Sequence, residues 1–328
     1  MLPELAFRVE RWPLATPFRI SRGTKTEAVV VVVEARAGEH IGRGECVPYA
    51  RYGETAESVL ARLEALAAQF DGTLTREELQ RLLPPGAARN ALDCALWDLE
   101  ARQSGRSVSE LLGGSALDEL TTALTVSLDE PHAMEAAARS LAGAPVIKIK
   151  VDANRPEAAI EAVARAAPHA RLIVDPNESW SFGLLERLQP FLKGIGIALV
   201  EQPLPAAEDR VLEGFKPQVP LCADESVHVS ADLGRVVTRY QFVNIKLDKT
   251  GGLTEALNLL NGARARGLGV MVGCMVCTSL GIAPALQVAA HADFADLDGP
   301  WWLAKDREGG LRIELGRIHP PSRALWGG

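Results

Sequence analysis

Between residues 120 and 298 the chain repeats one pattern, short apolar runs rich in β-branched residues separated by longer Ala-, Leu- and Arg-rich segments. The runs cover 120–128, 146–152, 172–175, 198–201, 221–224, 242–247, 269–273 and 294–298. Strand-like runs alternating with helix-length segments mean a parallel sheet, and eight of them mean a (β/α)8-type barrel. An open doubly wound sheet would need a Gly-rich phosphate turn after its first strand, and none follows Leu128. The repeat occupies about 180 residues against the ~250 typical of the fold, so its loops must be short.

Residues 1–115 read differently. The block 29–34, the turn at Gly38 and the run from Gly42 to Cys46 suggest an antiparallel meander. Two loops, between Pro17 and Val29 and over 48–53, place Arg19, Arg22, Lys25, Arg51 and Tyr52 close to glycines. From Thr55 the period becomes helical, through Val59, Leu63, Leu66 and Ala67, then Leu92, Ala95, Leu96 and Leu99, until Gly113-Gly114 stops it. The expected organisation is an α+β domain over 1–115, a barrel over 116–304, and a tail over 305–328 that includes the strand-like run Leu311–Leu315 and returns to the first domain.

A net charge of −7 without a block of like charge argues against nucleic-acid and anionic-membrane partners. No run approaches the ~18 apolar residues of a membrane span, and the opening residues lack the pattern of a signal peptide. Five scattered cysteines, at 46, 94, 222, 274 and 277, suit a reducing cytoplasm. Cys274-Met-Val-Cys277 has zinc-knuckle spacing but no second pair accompanies it, so it reads as packing.

Barrel enzymes carry their chemistry at the carboxyl ends of the strands. Period two puts Lys148 and Lys150 on one strand face, with Ile147, Ile149 and Val151 on the other. Three successive runs end in one acid each, Asp175, Glu201 and Asp224. Three acids at one mouth repel unless a hard divalent cation sits among them, and Mg²⁺ takes oxygen ligands while leaving room for a substrate oxygen. Lys246, on the sixth run, stands nearly opposite the second, whereas Lys249 falls past the strand and reads as a loop charge. A lysine on each side of a metal-bound substrate suggests proton abstraction next to a carboxylate, with inversion of a stereocentre as the net result. One lysine must be neutral to act as base, and burial beside other cations lowers a lysine pKa.

Together with Asn90-Ala-Leu-Asp-Cys-Ala-Leu-Trp-Asp-Leu-Glu-Ala, Asp175-Pro-Asn177-Glu178, Glu201-Gln-Pro, Asp224-Glu-Ser and Lys246-Leu-Asp-Lys-Thr-Gly-Gly, this pattern resembles the enolase superfamily, in its muconate-lactonising-enzyme subgroup; use of Lys or His bases with Mg²⁺ is a known property of that superfamily. The resemblance implies a modified (β/α)7β TIM-type barrel with an α+β capping domain and one Mg²⁺ on Asp175, Glu201 and Asp224. It implies that Lys150 and Lys246 act as the acid/base pair, that Lys148 stabilises the enolate, and that Asn177 stands behind the metal acids. Pro176 departs from the small residue common after the first metal acid, without reason to remove metal binding. Asp296-Leu-Asp298-Gly-Pro resembles the Asp-x-Asp with which dipeptide epimerases clamp a free α-ammonium, and with Gly273–Ser279 it looks like the bacterial L-Ala-D/L-Glu type that recycles cell-wall peptide. A cation in the first cap loop then meets the Glu side chain, and Arg22 and Lys25 both fit; Tyr52 would close over it from the second loop. The implied partner is a small dipeptide, and capped barrels of this kind often assemble as homo-oligomers.

Overall fold

The computed structural model describes residues 3–69 and 74–328. Strands β1 (Glu4–Ile20), β2 (Gly23–Ala37) and β3 (His40–Cys46) form an antiparallel sheet in that order. In β2, Val30, Val31, Val32 and Val33 are all fully buried, so both faces of this strand are covered. Val31 and Val33 pack with Val59, Leu63, Leu79 and Leu92 from the helices Ala56–Gln69, Arg76–Leu82 and Ala87–Ser104. Val30 and Val32 join the larger apolar cluster that continues into the barrel.

The segment 17–29, expected as a loop, is instead the end of the β1–β2 hairpin: Phe18, Arg19 and Ile20 pair with Lys25, Thr24 and Gly23. A two-stranded ribbon satisfies its backbone through the ladder alone, so it persists where the apolar alternation that marks a strand has run out. The long helix also stops earlier than expected, at Gly105 in the left-handed conformation, before a short helix Val108–Leu111.

The run 120–128 divides. β4 (Leu120–Thr121) leaves the barrel to pair with the tail, and only β5 (Leu124–Val126) enters it. β6 (Val146–Lys150), β7 (Arg171–Asp175), β8 (Leu199–Glu201), β9 (Leu221–Ala223), β10 (Phe242–Ile245), β11 (Gly269–Gly273) and β12 (Phe294–Asp296) follow in spatial order, every neighbouring pair parallel. The ring closes where Ala123 N–H donates to Ala295 O at 2.7 Å. β13 (Arg312–Glu314) and β14 (Arg317–His319) form the small sheet with β4, and the chain end then reaches the Ala87–Ser104 helix, where Trp326 Nε1 donates to Cys94 O and Gly327 N to Asp98 Oδ1.

Full α-helices follow β5, β6, β7 and β10, namely Pro131–Ser140, Pro156–Ala166, Phe182–Ile195 and Leu253–Arg264. After β8 the crossover holds only a 3₁₀ turn, Asp209–Leu212, and after β9 only Ser230–Asp232 and Leu233–Val236. These shortened crossovers are how the ring fits its short span. Inside it, Ala123, Val146, Ile173, Leu199, Cys222, Met271 and Phe294 plug the floor. Two residues further along each strand the inward positions are Thr125, Lys148, Asp175, Glu201, Asp224, Gly273 and Asp296, so the polar site stands directly on an apolar floor.

Candidate active site

The β6 and β10 strands are four places apart in a ring of eight, hence on opposite sides, and Lys150 and Lys246 both reach the cavity between them. That cavity, of about 380 Å³, lies between the strand ends and the two cap loops and is also lined by Lys148, Asn177, Asp224, Asp296 and Asp298. The three strand-end acids lie on the intervening β7, β8 and β9 and are fully buried or nearly so. Lys148 Nζ stands 3.0 Å from Asp175 Oδ2, 2.7 Å from Glu201 Oε2 and 2.7 Å from Asp296 Oδ2. Lys150 Nζ is 2.5 Å from Asp175 Oδ2, and Lys246 Nζ is 2.7 Å from Asp224 Oδ2. The acids therefore face one interior, with ammonium groups between them; among the described residues no three acids are already drawn in around a single point.

Burial opposes the charge on Lys148 and Lys246, but Asp296, Glu201 and Asp175 around the first and Asp224 beside the second outweigh it, so both are held well above the ordinary lysine range. The expectation that crowding with cations would lower a lysine pKa is thus corrected for these two: the carboxylates outweigh the neighbouring ammonium. Burial pushes Asp175 up, yet Lys150 and Lys148 win and hold it below the usual carboxylate range. Burial and the neighbouring Asp175 push Glu201 up to about 7. Its Oε1 receives Asn244 Nδ2 at 2.6 Å, while Oε2, close to Lys148 but outside hydrogen-bonding geometry, has no hydrogen-bond partner.

Lys249 needs correction as well. It is buried, not a loop charge, and its Nζ donates to Asp224 Oδ1 (2.7 Å), Asp224 O (2.5 Å) and Asn244 O (3.0 Å). The helical turn Leu247–Thr250 after β10 folds it back under the acid. Asn244, two residues before Lys246, shares its face by period two, so that signal was available in the sequence; the inward turn of Lys249 was not. Asn177 holds Asp175 through its backbone, N–H to Oδ1 at 2.9 Å, in a left-handed conformation (φ 46°) that asparagine tolerates.

Across the ring, Asp298 Oδ2 accepts from Thr125 N–H at 2.8 Å and Trp302 Nε1 at 3.2 Å. Burial, with Asp296 close by, pushes Asp298 up to about 6. Asp296 Oδ1 is buried without a partner. From the cap, Arg22 donates to Glu225 Oε1 (2.7 Å), Glu178 Oε2 (3.1 Å) and Asn177 O (3.0 Å). Arg51 grips the same Glu178 with two bonds, at 2.9 and 3.0 Å. Lys25 Nζ stands over the Tyr49 ring, 5.1 Å from its centre, and among the described residues it is not ion-paired. The Tyr52 ring meets Tyr49 on one side and His228 on the other, tying the second cap loop to the barrel.

Residues 3–113 match the family described as mandelate racemase / muconate lactonizing enzyme, N-terminal domain, and residues 132–324 match the enolase C-terminal domain-like family. The chain belongs to the enolase superfamily. Within that superfamily it is 50% identical over 313 residues to the L-Ala-D/L-Glu epimerase of Escherichia coli (strain K12), across 94% of this chain and 97% of that one. It is 45% identical to the N-acetyl-D-glutamate racemase of a Pseudoalteromonas species, across 92% and 95%. A crystal structure of an enolase family member from Agrobacterium tumefaciens, with sodium and L-Ala-L-Glu bound, superposes with a TM-score of 0.95 at 49% identity over 98% of this chain and 99% of that one. No described helix is long and apolar enough to cross a membrane.

Proposed function

We propose that this enolase-superfamily chain is a Mg²⁺-dependent dipeptide epimerase that interconverts L-Ala-L-Glu and L-Ala-D-Glu at the Glu α-carbon. The observation that carries the reading is the pair Lys150 and Lys246 on opposite strands of the ring, with Asp175, Glu201 and Asp224 on the strands between. The acids suit a hard divalent cation: the donor set is all oxygen, and Glu201 Oε2 is buried with no hydrogen bond of its own. Bound by these three carboxylates, Mg²⁺ supplies a Lewis acid for the charge that develops on the substrate carboxyl and draws the acids' charge away from the lysines.

On one face of the α-carbon, Lys150 in its neutral form takes the proton onto Nζ. On the other face, Lys246 as an ammonium delivers one, and the roles exchange for the opposite enantiomer. Each turnover leaves the pair with swapped protonation, reset by exchange with solvent. Lys148 stays charged among its acids and stabilises the negative enediolate oxygen. The unpartnered Asp296 Oδ1 and the remaining oxygen of Asp298 receive the substrate ammonium. Arg22 is already engaged by Glu225 and Glu178, which favours Lys25 for the Glu side-chain carboxylate. Tyr52 and the Arg22 loop cover the cavity and exclude water. The catalytic unit is the barrel over 116–304, capped by 1–115 and the tail 305–328; it works on a small peptide in the cytoplasm, without nucleic acid or membrane, consistent with recycling of cell-wall peptide.

The test is incubation with L-Ala-L-Glu and Mg²⁺ in D₂O. Deuterium should enter the Glu α-carbon as the D-epimer forms, and chelation of the metal should stop both. In Lys150→Ala, exchange from at least one epimer should vanish; full turnover of both would remove the lysine pair from the mechanism. The 45% identical racemase supports a second reading, racemisation of N-acyl-glutamate by the same lysines. That substrate carries no ammonium, so Asp298→Asn would spare it while impairing the dipeptide.

A further inference from the structure

Behind the strand-end acids lies a buried polar cluster that the proposed chemistry does not use. Gln202 follows Glu201 at the end of β8, fully buried, with a φ of 33°. Its backbone N–H donates to Cys222 O at 2.8 Å, and its carbonyl accepts from Glu178 N–H at 2.9 Å. It thus ties the segments that follow β7 and β8 to β9 itself, the three strands at whose ends the acids stand. Its side-chain Oε1 accepts from the backbone N–H of Asp224 (2.8 Å) and of Ser226 (3.1 Å). Its Nε2 faces Leu204 O (2.9 Å), Ser226 Oγ (2.8 Å) and Tyr240 OH (3.0 Å). Those two hydroxyls both lie on Asp209 Oδ2, at 2.6 and 3.0 Å, and Asp209 Oδ1 receives Arg239 Nη1 at 2.7 Å.

The two ends of a glutamine amide have nearly the same shape and opposite hydrogen-bonding character, so its neighbours decide which way round it sits. An ionised carboxylate only accepts. Asp209, paired with Arg239, therefore takes the protons of both Ser226 and Tyr240, and the lone pairs of those hydroxyls are what Gln202 meets. Only an NH₂ group satisfies them and the Leu204 carbonyl beside them, which turns the carbonyl end toward Asp224 and Ser226. Donation runs one way through the cluster, from Asp224 N–H to Gln202, from Gln202 to the hydroxyls, and from these to Asp209.

We propose that the Asp209–Arg239 pair is a remote positioning element for metal binding: it orients the Gln202 amide, which holds the backbone at Asp224 so that this carboxylate faces Asp175 and Glu201. The proposal rests on the reading of Asp224 as a Mg²⁺ ligand. Asp209→Asn reverses the logic within nearly the same volume. Arg239 keeps the amide oxygen, the new NH₂ group faces the hydroxyls, their protons turn toward Gln202, and its amide is set between these protons and its bonds to Leu204 O and Asp224 N–H, which loosens its hold on Asp224.

Calorimetric titration of the full-length protein with Mg²⁺, together with amide hydrogen exchange of the 222–228 segment, tests this. Asp209→Asn should weaken Mg²⁺ binding by at least about 10-fold, the range for partners behind metal ligands. It should also speed exchange at Asp224 and Ser226, with kcat largely restored at saturating Mg²⁺. Arg239→Lys, which keeps a positive charge against Asp209, should retain parental binding. A folded Asp209→Asn protein with parental Mg²⁺ affinity and exchange overturns the proposal. Should that variant not fold, Tyr240→Phe serves, because it removes one acceptor facing Gln202 and leaves the ion pair; weakened binding supports the proposal and parental binding overturns it. An Asp224→Asn variant that binds Mg²⁺ like the parent would overturn the metal-site reading instead, and the exchange measurement does not depend on that reading.

Discussion

In the proposed reading Lys25 and Asp298 hold the two ends of the substrate, and each makes a distinct expectation. Lys25→Met should raise KM for L-Ala-L-Glu by roughly 10-fold or more, the worth of one charge-assisted contact, and leave a neutral dipeptide little changed. Steady-state kinetics on both substrates checks this, and equal losses on the two would move the carboxylate contact elsewhere. Asp298→Asn should raise KM for the dipeptide on the order of 100-fold, since a buried ammonium loses its counter-charge, while the Thr125 and Trp302 bonds to the second oxygen position preserve the fold. Most residues of this site stand where strand periodicity put them, because a strand fixes direction every two residues. Lys249 does not, because a turn decided its direction. Nor could sequence decide between Arg22 and Lys25, which both lie in one hairpin; the partners Glu178 and Glu225 come from distant barrel segments.

The β3 strand and the Ala87–Ser104 helix pack with backbone nearly on backbone. A Cβ at Gly44 would lie 2.0 Å from Ala91 O, and one at Gly42 would lie 2.1 Å from Ala95 O. Neither helix nor strand can shift without opening a core in which Val31, Leu92 and Ala95 are fully buried. Gly44→Ala should therefore cost about 3 kcal/mol or more in thermal or denaturant unfolding. Gly194 provides the contrast: it lies exposed within the Phe182–Ile195 helix with nothing near its would-be Cβ. Gly194→Ala should stabilise by roughly 0.5–1 kcal/mol through helix propensity. The barrel strands were legible because each is a compact apolar run. The β1–β2 hairpin end was not, since its ladder bonds leave no mark in side-chain polarity.

Cap and barrel meet through buried polar groups as well as apolar ones. Glu45 of β3 accepts from Thr278 N–H at 2.8 Å and Arg307 Nη2 at 2.8 Å, and Arg89 donates to Thr250 O at 2.6 Å. Asp248, on the barrel, accepts from Val47 N–H at 3.0 Å and Asn90 Nδ2 at 2.8 Å on the cap side. Burial pushes Asp248 up to about 7, above its ordinary 3.8. For an acid the sign is clear: the folded state keeps the proton longer than the unfolded one, so ionisation of Asp248 costs stability. That cost is absent below about 3.8, grows as pH rises, and is complete above about 7. Asp248→Asn, which keeps an acceptor for Val47 and Asn90, should flatten the fall in stability between about pH 4 and 7, as denaturant midpoints would show. An unchanged slope would place the titration on another group.

Sequence alone determined the alternation of strand and helix, and with it the ring and the inward direction of Lys148, Lys150, Asp175, Glu201 and Lys246, because side-chain direction in a strand is a local property of the backbone. Tertiary structure alone decided that Arg22 is engaged while Lys25 is free of ion pairs among the described residues, and that Lys249 and Gln202 both converge on Asp224. Those are contacts between residues far apart in the chain, and no local rule specifies them until the ring has closed.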